Sequence, residues 1–282
     1  MSLRYAVGLP NVGEFGDPRV LVELALLAEE RGWDGAYLWD HVLYHDPSWP
    51  VANPTVTAAA IAAATGRIRL IVMHVLPRRQ IQDVARETVC MDTLSGGRLT
   101  VAAVIGSMDR EYSAFGRSAD LRARGAALDA ALADLGALWT AEPVVVSGGS
   151  AAEDAQPVRM VPGPVQRPRI PIWCGGRWPN RAPLRRAARF DGAMPTFVDQ
   201  NSRVVPPEEL RAAVDFIAAQ RGGLDDFEVA MEGATAPRAA EAHIAPYANV
   251  GLTWWIEAMG WWRAEPGAAV AAARTRILAG PA

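Results

Sequence analysis

The segment from Thr65 to Thr100 constrains the fold more than any other part of the chain. Ile68 to Met73 is apolar and β-branched, Asp83 to Leu94 has helical spacing, and Leu99 to Ile105 is apolar again. Gly96 and Gly97 follow the last helical leucine, where a chain that leaves a helix often needs a positive φ. Continuous apolar runs are typical of strands buried on both faces, as in a parallel sheet. Two such strands joined by a helix form a right-handed βαβ unit, so the segment predicts an α/β protein.

The same alternation continues along the chain, in which eight strand–helix pairs can be counted. The predicted strands are Arg4–Leu9, Gly35–Trp39, Ile68–Met73, Leu99–Ile105, Ile170–Cys174, Gly192–Pro195, Phe227–Glu232 and Thr253–Ile256. Asp17-Pro18 and Asn53-Pro54 each read as an N-cap followed by proline at the first helical position. The regular alternation predicts one closed (β/α)8 TIM barrel over residues 1–282, a fold of about 250 residues. The absence of a GxGxxG motif after any strand argues against an open dinucleotide-binding sheet.

The segment 141–169 interrupts this pattern between the fourth helix and the fifth strand. It is rich in glycine, serine and proline and holds two short apolar runs, Val144–Val146 and Val158–Val161. Loops of this length in a compact domain are usually functional or disordered. We therefore expect an insertion that forms a short hairpin or a lid over the barrel mouth, with a disordered excursion as the alternative.

Composition removes several classes of function. All 28 basic residues are arginine, so no lysine serves as a Schiff base, a P-loop residue or a general base. A net charge of -3 gives no reason to expect nucleic acid or an anionic membrane as a partner. The sequence contains no uncharged apolar run of about 18 residues, so no membrane-spanning helix is expected. No group of His, Asp and Glu has metal-ligand spacing, so no metal is expected.

The cysteines and the N-terminus bear on the cellular compartment. Cys90 lies in a helix pattern and Cys174 in a strand pattern, and both are expected to be buried thiols in a reducing compartment. Arg4–Leu9 already reads as a strand, so no signal peptide is predicted and we expect a cytoplasmic protein.

Candidate site residues follow the strands, because barrel enzymes place their active sites at the C-terminal strand ends. His41 comes directly after the strand-end Asp40, an arrangement that can fix one imidazole tautomer for acid or base catalysis. In the alternative reading Asp40 caps the loop and His41 fills space. His74 either lines the site or is a core histidine. Gly175-Gly176-Arg177 offers free N–H groups and a guanidinium to an anion, or else forms only a tight turn.

Several pieces of sequence occur together in a characteristic order. They are Ala28–Asp34 leading to Trp39-Asp40-His41, Thr65–Leu70, Leu94–Leu99, Pro171–Gly176 before Ala187–Gly192, and Gly251–Glu257. In this order and spacing the whole chain resembles the bacterial luciferase-like family of flavin- and deazaflavin-dependent oxidoreductases. Each piece alone occurs widely, but together and in this order they are specific for the family, and they carry little information about the substrate.

The resemblance implies a barrel that binds FMN or the deazaflavin coenzyme F420 at its mouth. It implies that His41 is an acid/base group beside the ring, as in F420-dependent members, and that a non-proline cis peptide lies within Ile71–Met73. The cofactor-binding residues that it implies are Asp40, His41, Val72, Met73, His74, Gly106, Ser107, Gly175, Gly176 and Arg177. One departure concerns the loop after strand four, where the family often has Gly-x-Gly and this chain has Ala103–Ser107. The glutamate of sugar-phosphate dehydrogenase members falls at Ser107, so that substrate is not expected.

Three functions compete. The first is an F420-dependent reductase or dehydrogenase that transfers hydride to or from an unknown small molecule, and the arginine-only, GC-rich composition favours it because F420 is common in actinobacteria. The second is an FMN-dependent monooxygenase that uses O2 and receives reduced flavin from a separate flavin reductase. The third is a non-catalytic family member, which the altered loop after strand four suggests.

Tryptophans are the expected walls of the substrate pocket. Trp39, Trp49, Trp178 and one of Trp254 and Trp255 favour a flat apolar or aromatic ligand, although large aromatics also fill barrels and dimer interfaces. Alternation along the last strand puts Trp254 and Trp255 on opposite faces. The resemblance also implies a homodimer.

Overall fold

The computed structural model describes residues 3–146, 156–200 and 203–281, and eight parallel strands in these ranges close into a barrel. Strands that are neighbours in sequence are neighbours in the barrel, and the last strand pairs with the first. The strands are β1 (Arg4–Leu9), β2 (Gly35–Leu38), β3 (Arg69–Val75), β4 (Leu99–Val104), β5 (Ile172–Arg177), β6 (Gly192–Thr196), β7 (Glu228–Gly233) and β8 (Trp254–Ala258). The predicted (β/α)8 barrel is confirmed.

Helices follow the strands and surround the barrel. They are α1 (Pro18–Glu30), α2 (Pro54–Ala64), α3 (Ile81–Ser95), α4 (Leu121–Leu138), α5 (Arg181–Ala187), α6 (Pro207–Arg221), α7 (Ala240–Ala248) and α8 (Ala269–Leu278). The two predicted N-caps are confirmed, since the side chains of Asp17 and Asn53 accept hydrogen bonds from backbone N–H groups of the first turns of α1 and α2. Short turns at Leu76–Arg78, Arg110–Ser113 and Trp261–Arg263 follow β3, β4 and β8.

Side chains alternate between the barrel interior and the layer under the helices. On β2, Tyr37 belongs to the interior cluster, whereas Ala36 and Leu38 pack in the larger core beneath the helices. The same alternation separates Trp254, which is interior, from Trp255, which packs outward. The prediction that these two tryptophans lie on opposite faces is therefore confirmed.

A polar and aromatic cluster closes the N-terminal end of the barrel. The Glu228 carboxylate accepts hydrogen bonds from Arg4 at 3.0 Å and Arg69 at 2.7 Å, and from the indoles of Trp173 at 3.0 Å and Trp254 at 2.9 Å. Trp254 begins β8 and is 1% exposed, so it lies at the end of the barrel opposite the strand C-termini. The prediction that Trp254 lines the substrate pocket is wrong, because the inward direction of a side chain does not say at which depth it sits.

The glycine-arginine motif after α3 also lies at the N-terminal end. Gly96 has a φ of 65°, which ends the helix. Arg98 then donates hydrogen bonds to the backbone oxygens of Ala62, Thr65 and Ile68 in the α2–β3 connection. The motif thus joins two connections of the barrel and has a structural role, as its position after a helix predicts.

The described parts of the segment 141–169 lie at this same end. Val144 and Val158 form an antiparallel bridge, while residues 147–155, the rest of the predicted hairpin, lie outside the described residues. Further on, Val165 and Gln166 donate backbone hydrogen bonds to Asp92 near the end of α3. A chain that goes from a helix to the next strand returns to the N-terminal end of the barrel, so the expected lid over the mouth is wrong for the described residues.

The cysteine prediction is half correct. Cys174 is buried on β5, whereas Cys90 is exposed on the outer side of α3. The spacing of apolar residues in α3 does not show on which face Cys90 lies, because polar and apolar residues are mixed around it. In the described part of the chain, no helix combines the length and the apolar character that crossing a membrane requires.

Candidate functional site

The C-terminal strand ends bring together a charged group made of Asp40, His41, Arg78 and Glu111, here called the charged quartet. Asp40 and His41 follow β2, Arg78 lies in the turn after β3, and Glu111 lies in the one-turn helix after β4. The Arg78 guanidinium is 3.0 Å from Asp40 and 2.6 Å from Glu111, the latter pair without hydrogen-bond alignment. Asp40 also accepts the Val75 N–H at 2.8 Å. The quartet therefore ties three neighbouring strand ends together.

Glu111 holds the imidazole of His41. Its Oε1 lies 3.2 Å from His41 Nδ1 and accepts the Val42 N–H at 2.8 Å. Burial raises the pKa of the Glu111 carboxyl, but its three polar partners together outweigh burial and hold that pKa below its usual range. An ionised Glu111 accepts a hydrogen bond from Nδ1–H, so the geometry assigns the His41 tautomer whose Nε2 carries no proton.

The backbone of His41 is fixed from below. The side chain of Asn11, fully buried after β1, donates to the His41 carbonyl at 2.8 Å and accepts the His41 N–H at 3.1 Å. The imidazole itself remains partly exposed, with Tyr44 and Trp39 edge-on at 5.0 and 5.9 Å between ring centroids. Of the predicted catalytic residues, His41 is thus at the mouth with one nitrogen free, and Asp40 is buried beneath it.

His74 does not share this site. It is 1% exposed, its Nδ1 lies 3.1 Å from the Val72 carbonyl, and its Nε2 has no hydrogen-bond partner in the described part of the chain. Burial lowers the pKa of His74. Alternation along β3 points Val72 and His74 toward the helices and Met73 toward the barrel interior. Of the three β3 residues implied to contact a cofactor, only Met73 faces the mouth.

The cis peptide implied within Ile71–Met73 is not found. In the described part of the chain the cis bonds precede Pro162, Pro168 and Pro179. β3 instead pairs with β4 without interruption from Leu70 to Val75. The cis bonds of the described residues thus lie outside β3, which corrects the expectation.

The glycine pair on β5 serves packing. A Cβ on Gly176 would lie 2.1 Å from Pro183 Cβ at the start of α5, and one on Gly175 would lie 2.7 Å from Val104. Both glycines are therefore required by neighbouring protein atoms, which favours the turn-and-packing reading over the anion reading. Arg177, at the end of the same strand, is exposed at the mouth.

The loop after β4 is shaped by Gly106. Its φ of 72° is in the left-handed region, and a Cβ there would lie 2.9 Å from Val75. The next residue, Ser107, is exposed. Ser107 and Arg177 are thus the exposed polar members of the predicted cofactor set on this side of the mouth.

Aromatic rings cover the opposite side of the mouth, above β1, β2 and β8. We call Trp39, Tyr44, Trp49, Trp261 and Trp262 the aromatic cluster. Trp39 stacks on Trp262 with centroids 5.9 Å apart and an interplanar angle of 18°, and Tyr44 stacks on Trp49 at 5.6 Å and 7°. Trp261 meets Trp39 and Trp49 edge-on at 6.2 and 5.0 Å.

This cluster corrects and extends the predicted substrate pocket. Trp39 and Trp49 belong to it, whereas Trp178 packs against Phe216 of α6, with centroids 6.1 Å apart, on the outer side. Trp261 and Trp262 were not predicted. The signal was present in the sequence, since two adjacent tryptophans follow the last strand by two residues, where the loops of a barrel carry its site.

Sequence reasoning also missed two residues that hold the charged quartet in place and one interior carboxyl. Arg78 and Asn11 fix the quartet, and Glu232, on β7, accepts the Trp39 indole N–H at 3.2 Å. Burial raises the pKa of Glu232 to about 7, while the hydrogen bond from Trp39 acts in the opposite direction.

Comparisons with known proteins were made with the fold and the site in hand. A family model described as luciferase-like monooxygenase matches residues 4–278. Comparison with curated proteins gives no match.

Solved structures share the fold along most of the chain. An F420-dependent secondary alcohol dehydrogenase in complex with an F420–acetone adduct is 16% identical, with a TM-score of 0.76 and 99% of each chain covered. A coenzyme F420-dependent tetrahydromethanopterin reductase from Methanopyrus kandleri is 16% identical, with a TM-score of 0.73 and 99% of this chain and 97% of that chain covered. The monooxygenase RslO1 from Streptomyces bottropensis is 22% identical, with a TM-score of 0.67 and 88% of this chain and 77% of that chain covered. Because the family model spans nearly the whole sequence, the chain belongs to the luciferase-like family of flavin- and F420-dependent oxidoreductases and monooxygenases.

Proposed function

We propose that the protein is an F420-dependent reductase or dehydrogenase of a small organic molecule, with His41 as its acid/base residue. The observation that carries the proposal is the held imidazole: Nδ1 faces the ionised Glu111, and Nε2 is left free beside the aromatic cluster. A group that donates or accepts one proton next to a hydride-transfer site needs this combination of a fixed tautomer and a free nitrogen.

The residues at the mouth fit a ligand with a planar ring and an anionic tail. Stacked pairs of the aromatic cluster offer flat apolar surface, and the interior floor beneath includes Ala102 and Met73. Ser107 and Arg177, exposed at the ends of β4 and β5, would hold the anionic tail. Once bound, the deazaflavin ring supplies or accepts the hydride.

The chain's own residues manage the proton. In the direction of oxidation, His41 Nε2 accepts the proton of a substrate hydroxyl, and the nearby Glu111 carboxylate stabilises the imidazolium that results. In the direction of reduction, the imidazolium returns this proton to the substrate oxygen. Arg78 keeps Glu111 ionised, and Asp40 balances the charge of Arg78.

Composition supports F420 over FMN, because the arginine-only sequence is typical of GC-rich genomes. Two of the similar solved structures are described as F420-dependent enzymes. A homodimer, implied by the resemblance, is part of the proposal.

The test is a titration of the purified protein with F420 and with FMN, followed by cofactor fluorescence. We expect tight binding of F420 and weak binding of FMN. The protein should then oxidise reduced F420 without oxygen when a panel of aliphatic and aromatic ketones is supplied. Tight FMN binding without an F420 response would transfer the assignment to the monooxygenase, and binding of neither would indicate a non-catalytic member.

A further inference from the structure

Among the residues that the structure describes, Glu232 differs from the other carboxylates of the barrel in having no cationic partner. Asp40, Glu111, Glu228 and Glu257 each lie within 3.0 Å of an arginine nitrogen. Glu232 has one hydrogen bond in the described part of the chain, from the Trp39 indole to Oε1 at 3.2 Å. A carboxyl inside a barrel without a compensating charge holds a proton more readily than a paired one.

The position of Glu232 points it at the mouth. It lies on the interior side of β7, in register with Ile256, and the Trp39 indole of the aromatic cluster donates to its Oε1 from the end of β2. On β1, a Cβ on Gly8 would lie 2.9 Å from Glu232 Oε1, so the glycine gives the side chain room to cross the floor. The second oxygen, Oε2, has no partner in the ranges that the structure describes.

We propose that Glu232, in its protonated form, donates a hydrogen bond from the floor of the mouth to an acceptor atom of the planar ring bound above it, so that the ring binds together with a proton. The proposal rests on the proposed function, since it needs a ring cofactor at this mouth. It adds a cofactor-contacting residue that acts independently of His41, and it makes the affinity for the ring dependent on pH.

The surroundings contain few groups that could produce the same pH dependence. The Tyr37 hydroxyl on β2 is buried. Its pKa lies well above the usual value, mainly because of burial and to a smaller extent because of the Glu232 charge. Gly8 on β1 and Ile256 on β8 carry no charge. His41 lies on another side of Trp39, with 5.9 Å between the two ring centroids, and a His41→Gln variant separates its effect from that of Glu232.

The sign of the dependence follows from linkage. The free protein holds the proton on Glu232 up to about pH 7. If the ring binds only the protonated form, affinity is constant below that value and falls about tenfold per pH unit above it. A neutral glutamine has the size of the acid and an N–H donor but does not titrate.

The experiment measures the dissociation constants of oxidised F420 and of FMN from pH 5.5 to about 8.5 for the wild type, Glu232→Gln, His41→Gln and a surface control, Glu30→Gln. We expect the wild type, His41→Gln and the control to lose affinity above pH 7, and Glu232→Gln to bind without pH dependence. Infrared spectra of the cofactor-free protein should also show a protonated-carboxyl band that disappears near pH 7 in the wild type and is absent from Glu232→Gln.

The outcomes separate the two proposals. Binding of either cofactor with the same pH dependence in Glu232→Gln as in the wild type, or absence of the carboxyl band, overturns the assignment of Glu232 alone. If neither cofactor binds, the proposed function fails, and the role of Glu232 toward a ring fails with it. If Glu232→Gln does not fold, Glu232→Asp replaces it, and that variant should lose affinity at every pH because the shorter acid no longer reaches the ring.

Discussion

Replacement of Glu111 by glutamine is expected to lower the free energy of unfolding by about 2–3 kcal/mol. The amide keeps the size of the side chain and an oxygen for the Val42 N–H, but it loses the charge that His41 and Arg78 face. A hydrogen bond to a charged group contributes about 1.5–3 kcal/mol. Arg78 keeps Asp40 at 3.0 Å and is not left alone, so the cost stays below the roughly 3–5 kcal/mol of breaking a buried pair outright.

The loss should depend on pH in a defined direction. The pKa of Glu111 is lower in the folded protein than its usual value, so its contribution is complete above the unfolded-state pKa of about 4.3. It disappears as the pH falls through the folded-state pKa, where the wild-type carboxyl is also neutral. The stability difference between wild type and Glu111→Gln is therefore largest near neutral pH and closes in acid.

Urea unfolding followed by tryptophan fluorescence, at neutral pH and at a series of acidic pH values, measures this difference. Glu209→Gln is the matched control, because Glu209 pairs with Arg203 at the surface, where ion pairs contribute little. The reasoning is refuted if Glu111→Gln is as stable as the wild type at neutral pH. It is equally refuted if the difference persists unchanged in acid.

The architecture could be predicted because its signals are local. Proline after an N-cap starts α1 and α2, a glycine with positive φ ends α3, and apolar runs of strand length recur between them. The first strand was predicted with its observed bounds, and the C-terminal ends of the other seven were displaced by one to three residues. Such errors matter little for the fold, but Trp254 shows that they matter for a site: its direction was right and its depth was wrong.

The site was predicted in part, because its partners are brought together by turns that no periodic pattern announces. Asp40 and His41 follow a strand directly and are visible in the sequence. Arg78 and Glu111 reach them through a 3-10 turn and a one-turn helix, both too short to leave a periodicity. Glu232 ends a predicted strand, yet its lack of a cation is a property of the surrounding side chains.

Glycine was the residue that sequence reasoning interpreted least well. Gly175 and Gly176 could equally have opened backbone amides to an anion or let protein atoms approach, and the sequence is the same in both cases. The close approach of Pro183 and Val104 favours the second reading. Whether a small residue makes room for a ligand or for the protein depends on the packed neighbours, which one sequence does not contain.

Two further predictions test these readings of the site. Gly176→Ala should lower the melting temperature, because the new Cβ would lie 2.1 Å from Pro183. The control Gly66→Ala should leave it unchanged, because no atom lies within 4 Å of the new Cβ there. Equal melting temperatures of the two variants would show that α5 adjusts freely. His41→Ala should leave folding and cofactor affinity nearly unchanged and reduce turnover by about 10²–10⁴-fold, the usual contribution of a positioned proton donor. His45→Ala is its control, since that ring is exposed in the same loop and touches Tyr44 alone among the aromatic cluster. The rate of hydride transfer is measured by stopped flow. A wild-type rate in His41→Ala would show that the imidazole only fills space, and loss of cofactor binding would show that it supports the ring.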